Sequence, residues 1–162
     1  MYGLWRRCHL HRKKDTAWAE VHGGYLKGSN EVRSSGLGPK AGNGLFACIN
    51  YQSGDVITKY EGSIIQYGRL SPLSEAERSY ALQWEKNKSA LIGVKMEQLK
   101  EGCGIGSLAN DSNLSKLPGL KNKARFSLPD RANKCCWLIA DRYIKAGEEI
   151  FVTYGPGYKL LV

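Results

Sequence analysis

A segment near the end of the chain limits the possible folds more than any other. Cys135–Ala140 is a continuous apolar run, which is typical of a strand buried on both faces. Lys145–Glu148 then predicts a tight turn, because its glycine can take a positive φ. Ile150–Tyr154 has the two-residue alternation of a strand and ends just before a Gly-Pro-Gly loop. We therefore predict two strands joined by a turn. Tyr154 would then lie where it can meet a ligand, although an ordinary surface turn is the alternative.

Short strand-like runs separated by turn residues recur along the rest of the chain. The predicted strands are Leu45–Ile49, Val56–Ile65, Ala90–Val94 and Lys123–Leu128. Gly62 lies inside one of them and predicts a bulge or a close backbone approach. Ser74 and Glu77 have the spacing of a capping box, which predicts one short helix, while Tyr80–Trp84 fits either the end of that helix or a strand. The pattern predicts a mostly β fold with few short helices.

Charge is concentrated at the start of the chain. The 162 residues suit one domain, and their formal net charge of +9 favours an anionic partner such as nucleic acid. Much of the excess comes from five residues: Arg6, Arg7, Arg12, Lys13 and Lys14. Residues 1–33 are therefore interpreted as a basic N-terminal arm or lead-in. A solvated arm, a nucleic-acid contact and a nuclear address all remain open.

The cysteines and the hydropathy pattern bear on location and metal binding. Five cysteines with no secretion signal predict reduced thiols and an intracellular protein. No apolar run reaches about 20 residues, so no membrane-spanning helix is expected. Cys8-His9-Leu10-His11 contains three possible ligands, but no later segment repeats the spacing, and no metal site is predicted.

Five motifs now stand in a characteristic order. They are Gly42-Asn-Gly-Leu-Phe-Ala47, Tyr60-Glu-Gly62, Asn110-Asp-Ser112, Ala124-Arg-Phe126 and Ala140-Asp-Arg-Tyr-Ile-Lys-Ala-Gly-Glu-Glu-Ile-Phe-Val-Thr-Tyr-Gly155. Together they resemble the SET-domain protein lysine methyltransferases. The resemblance covers about residues 36–159, and we assign residues 34–162 to a SET domain. It implies small β-sheets around a knot-like core, in which the C-terminal segment passes under an earlier loop.

The resemblance also implies a cofactor and a reaction. The cofactor is S-adenosylmethionine, bound in a cleft on one face, and the substrate is a lysine that enters a channel from the opposite face. Histone tails, nucleosomes or other basic proteins are the implied substrates. Transfer would be an in-line displacement, so the alignment of amine, methyl group and sulfur matters most. No metal is needed.

The cofactor-binding residues implied by the resemblance come from two segments. The backbone of the first segment approaches the methionine part of the cofactor, and its residues are Gly42, Asn43, Gly44 and Leu45. In the second segment, Asn110 matches the asparagine that holds the cofactor amino group. The backbone at Asp111 matches contacts to adenine.

Aromatic residues are implied around the lysine. Tyr154 matches the active-site tyrosine, and Tyr60 matches a tyrosine that lines the lysine channel. Phe126 and Val152 fall where channel walls set how many methyl groups fit. The Tyr154 hydroxyl is expected to position the amine and to contact the polarised methyl hydrogens.

The sequence departs from the family pattern in three places. Asp111 replaces the usual histidine, which helps to pin the knot. The cysteine-rich segment that often follows the domain is missing, and Tyr158 with the tail or a partner would close the channel instead. There is also no cysteine-rich zinc module before the domain. The chain thus resembles minimal members of the family.

Two other functions remain open at this stage. A divergent SET or PR-like module could bind a peptide or chromatin partner with little catalysis, and Asp111 is the residue that favours this alternative. A basic nucleic-acid-binding domain without a cofactor is the second, and it would show a steep salt dependence. If the substrate is a basic peptide, acidic residues are expected to face it, namely Glu61, Glu75, Glu77 or Asp111.

Overall fold

The computed structural model describes residues 30–69, 72–99, 104–115 and 117–154. Its strands are β1 (Asn30–Ser34), β2 (Asn43–Ala47), β3 (Val56–Gln66), β4 (Ala81–Glu85), β5 (Ser89–Gly93), β6 (Ala124–Phe126) and β7 (Cys135–Ala140). The one α-helix of the described ranges, α1, spans Glu75–Arg78. Single 3-10 turns lie at Pro39–Ala41, Tyr67–Arg69, Met96–Gln98, Gly106–Leu108 and Ser112–Leu114. The predicted mostly β fold with few short helices is confirmed.

The strands form two antiparallel sheets. Strands β1 and β2 pair alone, and the other five follow the order β4-β5-β3-β7-β6. Strand β3 has 11 residues and joins the two halves of the larger sheet. Its first half pairs with β7 and its second half pairs with β5. The β-branched run that predicted this strand therefore forms the central strand of the larger sheet.

Gly62 lies where β3 passes closest to β5. Its register partner is Gly93, and a Cβ added at Gly62 would overlap the carbonyl oxygen of Ile92. The predicted close backbone approach is confirmed. The irregularity in pairing lies at the start of the strand instead, between Val56 and Thr58.

The short helix predicted from the Ser74–Glu77 capping box is present. The Ser74 Oγ accepts the Glu77 N–H at 3.2 Å, and the Ser74 N–H donates to the Glu77 carboxylate at 2.9 Å, which is the reciprocal pattern of a capping box. The helix ends before Ser79, and Ala81–Trp84 of the ambiguous stretch belongs to strand β4, while Tyr80 lies in the turn before it. None of the helices within the described ranges is long and apolar enough to cross a membrane.

Strand β1 was not predicted. It lies within the stretch interpreted as a basic arm or loop, and it pairs residue by residue with β2, from Asn30 opposite Ala47 to Ser34 opposite Asn43. Three of its five residues are exposed, so its sequence lacks the apolar alternation of a half-buried strand. The strand is therefore defined by its backbone pairing with β2, which its own side chains do not predict.

The main core joins both sheets to the C-terminal segment. Leu45, Ile57, Leu138, Ile150 and Val152 are among its fully buried side chains. The prediction that β7 is buried on both faces is confirmed, because Cys135 to Leu138 are all buried. Burial raises the pKa of the Cys135 thiol to about 12 and that of Cys136 to about 11. Both thiols therefore stay protonated and act as packing groups.

The second strand of the predicted C-terminal hairpin does not form. The turn at Lys145–Glu148 is present, with Gly147 at φ 94°, but residues after it make only isolated bridges. The Ile150 N–H donates to the Leu45 carbonyl at 2.7 Å, and the Val152 N–H donates to the Asn110 carbonyl at 2.9 Å. The Phe151 carbonyl accepts the Ala124 N–H at 3.1 Å. The segment is thus held by three distant stretches and by no single partner strand.

Candidate functional site

Asn110 joins the two segments that were predicted to bind the cofactor. It follows the 3-10 turn at Gly106–Leu108, and its backbone bridges to Phe151. Its Nδ2 donates to the Asn43 carbonyl at 2.9 Å and, over a longer 3.4 Å, to the Glu149 carboxylate. Both partners only accept, so the amide nitrogen must face them. The amide oxygen is then left as an acceptor, which suits an ammonium group.

The glycines of the first segment serve different purposes. Gly42 has φ 65° and ψ −124°, a backbone conformation that other residues rarely adopt, and the space beside it is open. A Cβ at Gly44 would overlap the Glu149 carboxylate, so that close approach is to a protein side chain. The Leu45 side chain is fully buried in the core, which leaves only its backbone for a ligand.

Asp111, which the resemblance aligns with the family histidine, is only 7% exposed. Its Oδ1 accepts the Asn113 N–H at 2.9 Å and the Asn122 amide at 2.8 Å, and its Oδ2 accepts the Tyr154 N–H at 3.1 Å. An ionised carboxylate accepts only, so it matches these three donors. Asp111 therefore pins the Tyr154 segment to the Asn110 segment. The expectation that its side chain could face a peptide is wrong, because the side chain is buried in this network.

Asn122 belongs to the site but was not selected from the sequence. Its Oδ1 accepts the Ser112 N–H at 2.9 Å and the Ser112 hydroxyl at 2.7 Å. Its Nδ2 donates to Asp111 and, at 3.2 Å, to the Thr153 hydroxyl. In the sequence it is one more asparagine in a polar loop with a proline, which predicts a turn and nothing more.

Tyr154 is fixed at both ends. Its N–H is held by Asp111, and its hydroxyl donates to the Ala109 carbonyl at 2.9 Å. The half-buried ring packs on the main core. A hydroxyl that donates its proton to a carbonyl can act towards another group only as an acceptor. This is the role expected of a group that positions an amine.

Tyr60 and Phe126 lie together on the larger sheet. Their rings meet edge to face, with centroids 5.1 Å apart and an interplanar angle of 79°. The Tyr60 hydroxyl donates to the Tyr80 carbonyl in a short hydrogen bond. Phe126 also packs on the main core, so it links the Tyr60 cluster to the cluster that supports Tyr154.

One predicted channel residue is buried, and another falls outside the described residues. Val152 is fully buried in the main core, so its place in a channel wall stays a prediction. Tyr158 lies outside the described residues. Tyr80 is a half-buried residue next to this region that sequence reasoning missed, and burial followed by the charge of Glu97 raises its pKa.

A cleft of about 340 Å³ lies beside the Asn110–Glu149 contact. Its lining is mainly apolar, from Phe46, Leu117, Leu120 and Phe151, and Glu149 lies at its edge. The volume is within the range of small-molecule sites. None of the residues predicted to bind the cofactor or substrate lines it, but two lining residues, Glu149 and Phe151, contact Asn110 of the predicted site.

Metal ligands do not cluster in the part of the chain that the structure describes. No group of three or more His, Cys, Asp or Glu side chains there could hold an ion. The Cys8-His9-Leu10-His11 stretch lies outside the described residues.

A comparison with models of protein families identifies one family. The model of the SET domain matches residues 42–155, which is more than half of the chain. A search of curated proteins finds no match to the sequence.

Several solved structures have the same fold. Polycomb Repressive Complex 2 of Chaetomium thermophilum, bound to S-adenosylmethionine, matches with a TM-score of 0.58 and 19% identity over 82% of this chain. A humanized mutant of that complex, bound to an inhibitor, gives a TM-score of 0.61 and 17% identity over 95%. A Plasmodium falciparum protein classed as a histone methyltransferase gives 0.54 and 20% over 79%. The chain spans 16% and 18% of the two complex chains and 94% of the Plasmodium chain.

Proposed function

Because the chain belongs to the SET-domain family, we propose that it is an S-adenosylmethionine-dependent protein-lysine N-methyltransferase. One observation carries the proposal. The hydrogen bond from Asn110 to Asn43 joins the two predicted cofactor segments, and the neighbouring Asp111 holds the backbone of Tyr154. The residues proposed for cofactor binding and for amine positioning therefore belong to one hydrogen-bonded network, which supports the proposal.

The residues suit the proposed chemistry. When bound, S-adenosylmethionine supplies a methyl group on a sulfonium, which a neutral lysine amine takes in line as the carbon–sulfur bond breaks. Asn110 would hold the cofactor ammonium through its amide oxygen. The backbone of residues 42–45 would approach the methionine part of the cofactor, and the backbone at Asp111 would contact adenine.

The aromatic residues would act on the substrate amine. A lysine side chain has an ordinary pKa of about 10.4, and it must lose its proton before it can attack. An aromatic, partly dry channel disfavours the ammonium form. Tyr154 and Tyr60 each donate their hydroxyl proton to a backbone carbonyl, so their oxygens can accept from the amine. We propose Phe126, Val152 and Tyr158 as channel residues that set the degree of methylation.

We further propose a histone or another basic protein as the substrate, inside the cell and in the nucleus. Of the four acids predicted to face a basic peptide, Glu61 and Glu77 remain candidates among the described side chains, although the Glu61 carboxylate also accepts the Gly104 N–H. Glu77 stays ionised because hydrogen bonds from Ser74 lower its pKa.

The basic run within residues 1–33 would contact nucleosomal DNA. Reversing its charges should then weaken nucleosome methylation while leaving peptide methylation unchanged, and equal rates on nucleosomes would contradict this contact.

The Asp111 network weakens the case for a binding module without catalysis. That alternative depended on an unsuitable residue at the histidine position. The carboxylate instead satisfies three N–H donors and holds Tyr154. The structure therefore gives no reason to expect a misplaced tyrosine.

Calorimetric titration of S-adenosylmethionine into the purified protein tests the proposal. We expect micromolar binding that is lost in Asn110→Ala and kept in Asn133→Ala, which removes an asparagine amide that donates to Asp130 in its own turn. Transfer of labelled methyl groups to histone octamers should follow. If the wild type binds no cofactor, the methyltransferase function is wrong and the binding module becomes the better hypothesis.

A further inference from the structure

The side chain of Glu149 connects three parts of the proposed cofactor site. Its carboxylate accepts the Ser35 hydroxyl at 2.7 Å and the Gly36 N–H at 2.8 Å, in the loop between β1 and β2. It also fills the space that a Cβ would need at Gly44. Its third partner is the amide of Asn110, at 3.4 Å. One carboxylate thus contacts Asn110 and lies against both ends of residues 35–44, here called the glycine loop.

The chemistry of these partners fixes the Asn110 amide. An asparagine side chain can rotate by half a turn and exchange its nitrogen and oxygen, which have similar shapes but opposite hydrogen-bonding roles. The Asn43 carbonyl and the Glu149 carboxylate both require the nitrogen. The oxygen is then the atom presented to a bound ammonium. A rotated amide would present its N–H₂ group and repel that cation.

Glu149 is itself held firmly. The Ser35 hydroxyl that donates to it also accepts the Leu37 N–H at 3.1 Å, so the serine is oriented by its own loop. The backbone on either side of Glu149 is tied to β2, since the Ala47 N–H donates to the Glu148 carbonyl and the Ile150 N–H donates to the Leu45 carbonyl. The position of the carboxylate is therefore set by backbone pairing and does not depend on a ligand.

We propose that Glu149 is a positioning residue for the amino-acid end of the cofactor. It sets the orientation of the Asn110 amide and holds the glycine loop against it. This inference rests on the proposed cofactor, but the state of the Asn110 amide can be measured without any cofactor.

The first test is spectroscopic and uses the full chain alone. The side-chain N–H₂ signals of Asn110 are assigned by their disappearance in Asn110→Ala. In Glu149→Gln, the new amide can donate as well as accept, so the Asn110 signals should shift. In the matched control Glu148→Gln, which removes the same charge from the residue that pairs with Lys123, they should stay in place. Unmoved Asn110 signals in Glu149→Gln would overturn the proposal.

The second test measures cofactor affinity in the same variants. Glu149→Gln should raise the Kd for S-adenosylmethionine about tenfold, which is the scale of one hydrogen bond to a charged group. Glu148→Gln should change it less than about twofold. Ser35→Ala, which removes one anchor of the carboxylate, should raise the Kd in the same direction. A Kd for Glu149→Gln equal to that of the control would also overturn the proposal.

The failures of the two hypotheses are distinguishable. If the wild type binds no S-adenosylmethionine, the methyltransferase function fails, while the spectroscopic test still decides whether Glu149 orients Asn110. If Glu149→Gln melts far below Glu148→Gln, Glu149→Asp replaces it. That variant keeps the charge but withdraws it from Asn110, and it should show the same shift and the same loss of affinity.

Discussion

Tyr154 is held through two of its own atoms, and only one of them belongs to its side chain. Asp111 accepts its N–H and the Ala109 carbonyl accepts its O–H. Tyr154→Phe removes the hydroxyl but leaves the backbone contact and the packed ring. We expect the methyl-transfer rate to fall by about 100-fold, the usual cost of losing one aligned polar group at a reacting centre. Cofactor affinity, measured by calorimetry, should stay within about threefold of the wild type. A rate equal to the wild type would remove Tyr154 from the proposed mechanism.

The three hydrogen bonds that the Asp111 carboxylate accepts give a second prediction. Asp111→Asn introduces an N–H₂ group opposite at least one of the three N–H donors that the carboxylate accepts. A buried donor without a partner costs about 1–3 kcal/mol, so the free energy of unfolding should fall by that amount. Urea denaturation measures it. The control is Asp141→Asn, because Asp141 forms an exposed ion pair with Arg125 at 2.7 Å. Such pairs contribute about 0–1 kcal/mol, and equal losses in both variants would refute the pinning role.

The sequence predicts some residues of the site and not others, for a physical reason. Asn110 and Tyr154 belong to motifs whose order along the chain resembles a family pattern. Glu149 and Asn122 act through contacts with residues distant in sequence, such as the 113 residues that separate Glu149 from Gly36. A glutamate after a turn and an asparagine in a loop are ordinary in those places. Only the folded arrangement reveals their partners.

Among the elements, the pairing of β3 with β5 depends on a glycine. Gly62→Ala would place a methyl group into the Ile92 carbonyl oxygen, so the two strands would have to separate locally. We expect a loss of roughly 1–3 kcal/mol in unfolding free energy, as for other overpacked positions. Gly68→Ala is the matched control, since nothing lies within 4 Å of the added methyl group. Thermal denaturation should separate the two, and similar melting temperatures would show that β3 and β5 tolerate the methyl group.

Elements with a local signal were predicted, and elements defined by distant pairing were not. Strand β3 has its β-branched run and α1 has its capping box. Strand β1 and the segment after Gly147 lack such signals. The latter has strand-like alternation, yet single residues of β2, the Asn110 segment and β6 take up its backbone groups. The alternation of apolar residues predicts which face of a strand is buried, but it does not predict which strand pairs with it.

For the part of the molecule that the structure describes, lowered pKa values of three carboxyl groups make stability depend on acid. Hydrogen bonds from Ser74 lower the pKa of Glu77, and those from Asn133 and Trp137 lower that of Asp130. Burial alone would raise the pKa of Glu148, but bonds from Lys145 and Lys123 together hold it low. Groups whose folded pKa is depressed stabilise the protein above the unfolded value and lose that contribution as pH falls through the folded value.

Stability should therefore be flat near neutral pH and should decline below the ordinary carboxyl values of 4.5 and 3.8. Urea denaturation from neutral pH down to about pH 3 measures this slope. The triple variant Glu77→Gln, Asp130→Asn, Glu148→Gln should be less stable at neutral pH but should show a shallower decline. An equally steep decline would place the acid sensitivity in other groups.

The way in which the C-terminal segment is held also has a consequence for timing. Glu149 to Tyr154 supply the partners of Leu45, Asn110 and Asp111, all of which leave the ribosome long before them. Pairing between such distant residues forms late, because a long loop must close first. The strands made earlier therefore lack a complete site until residue 154 has left the ribosome. The protein therefore cannot gain its proposed activity gradually during synthesis, because the site stays incomplete until the segment from Glu149 to Tyr154 has been made.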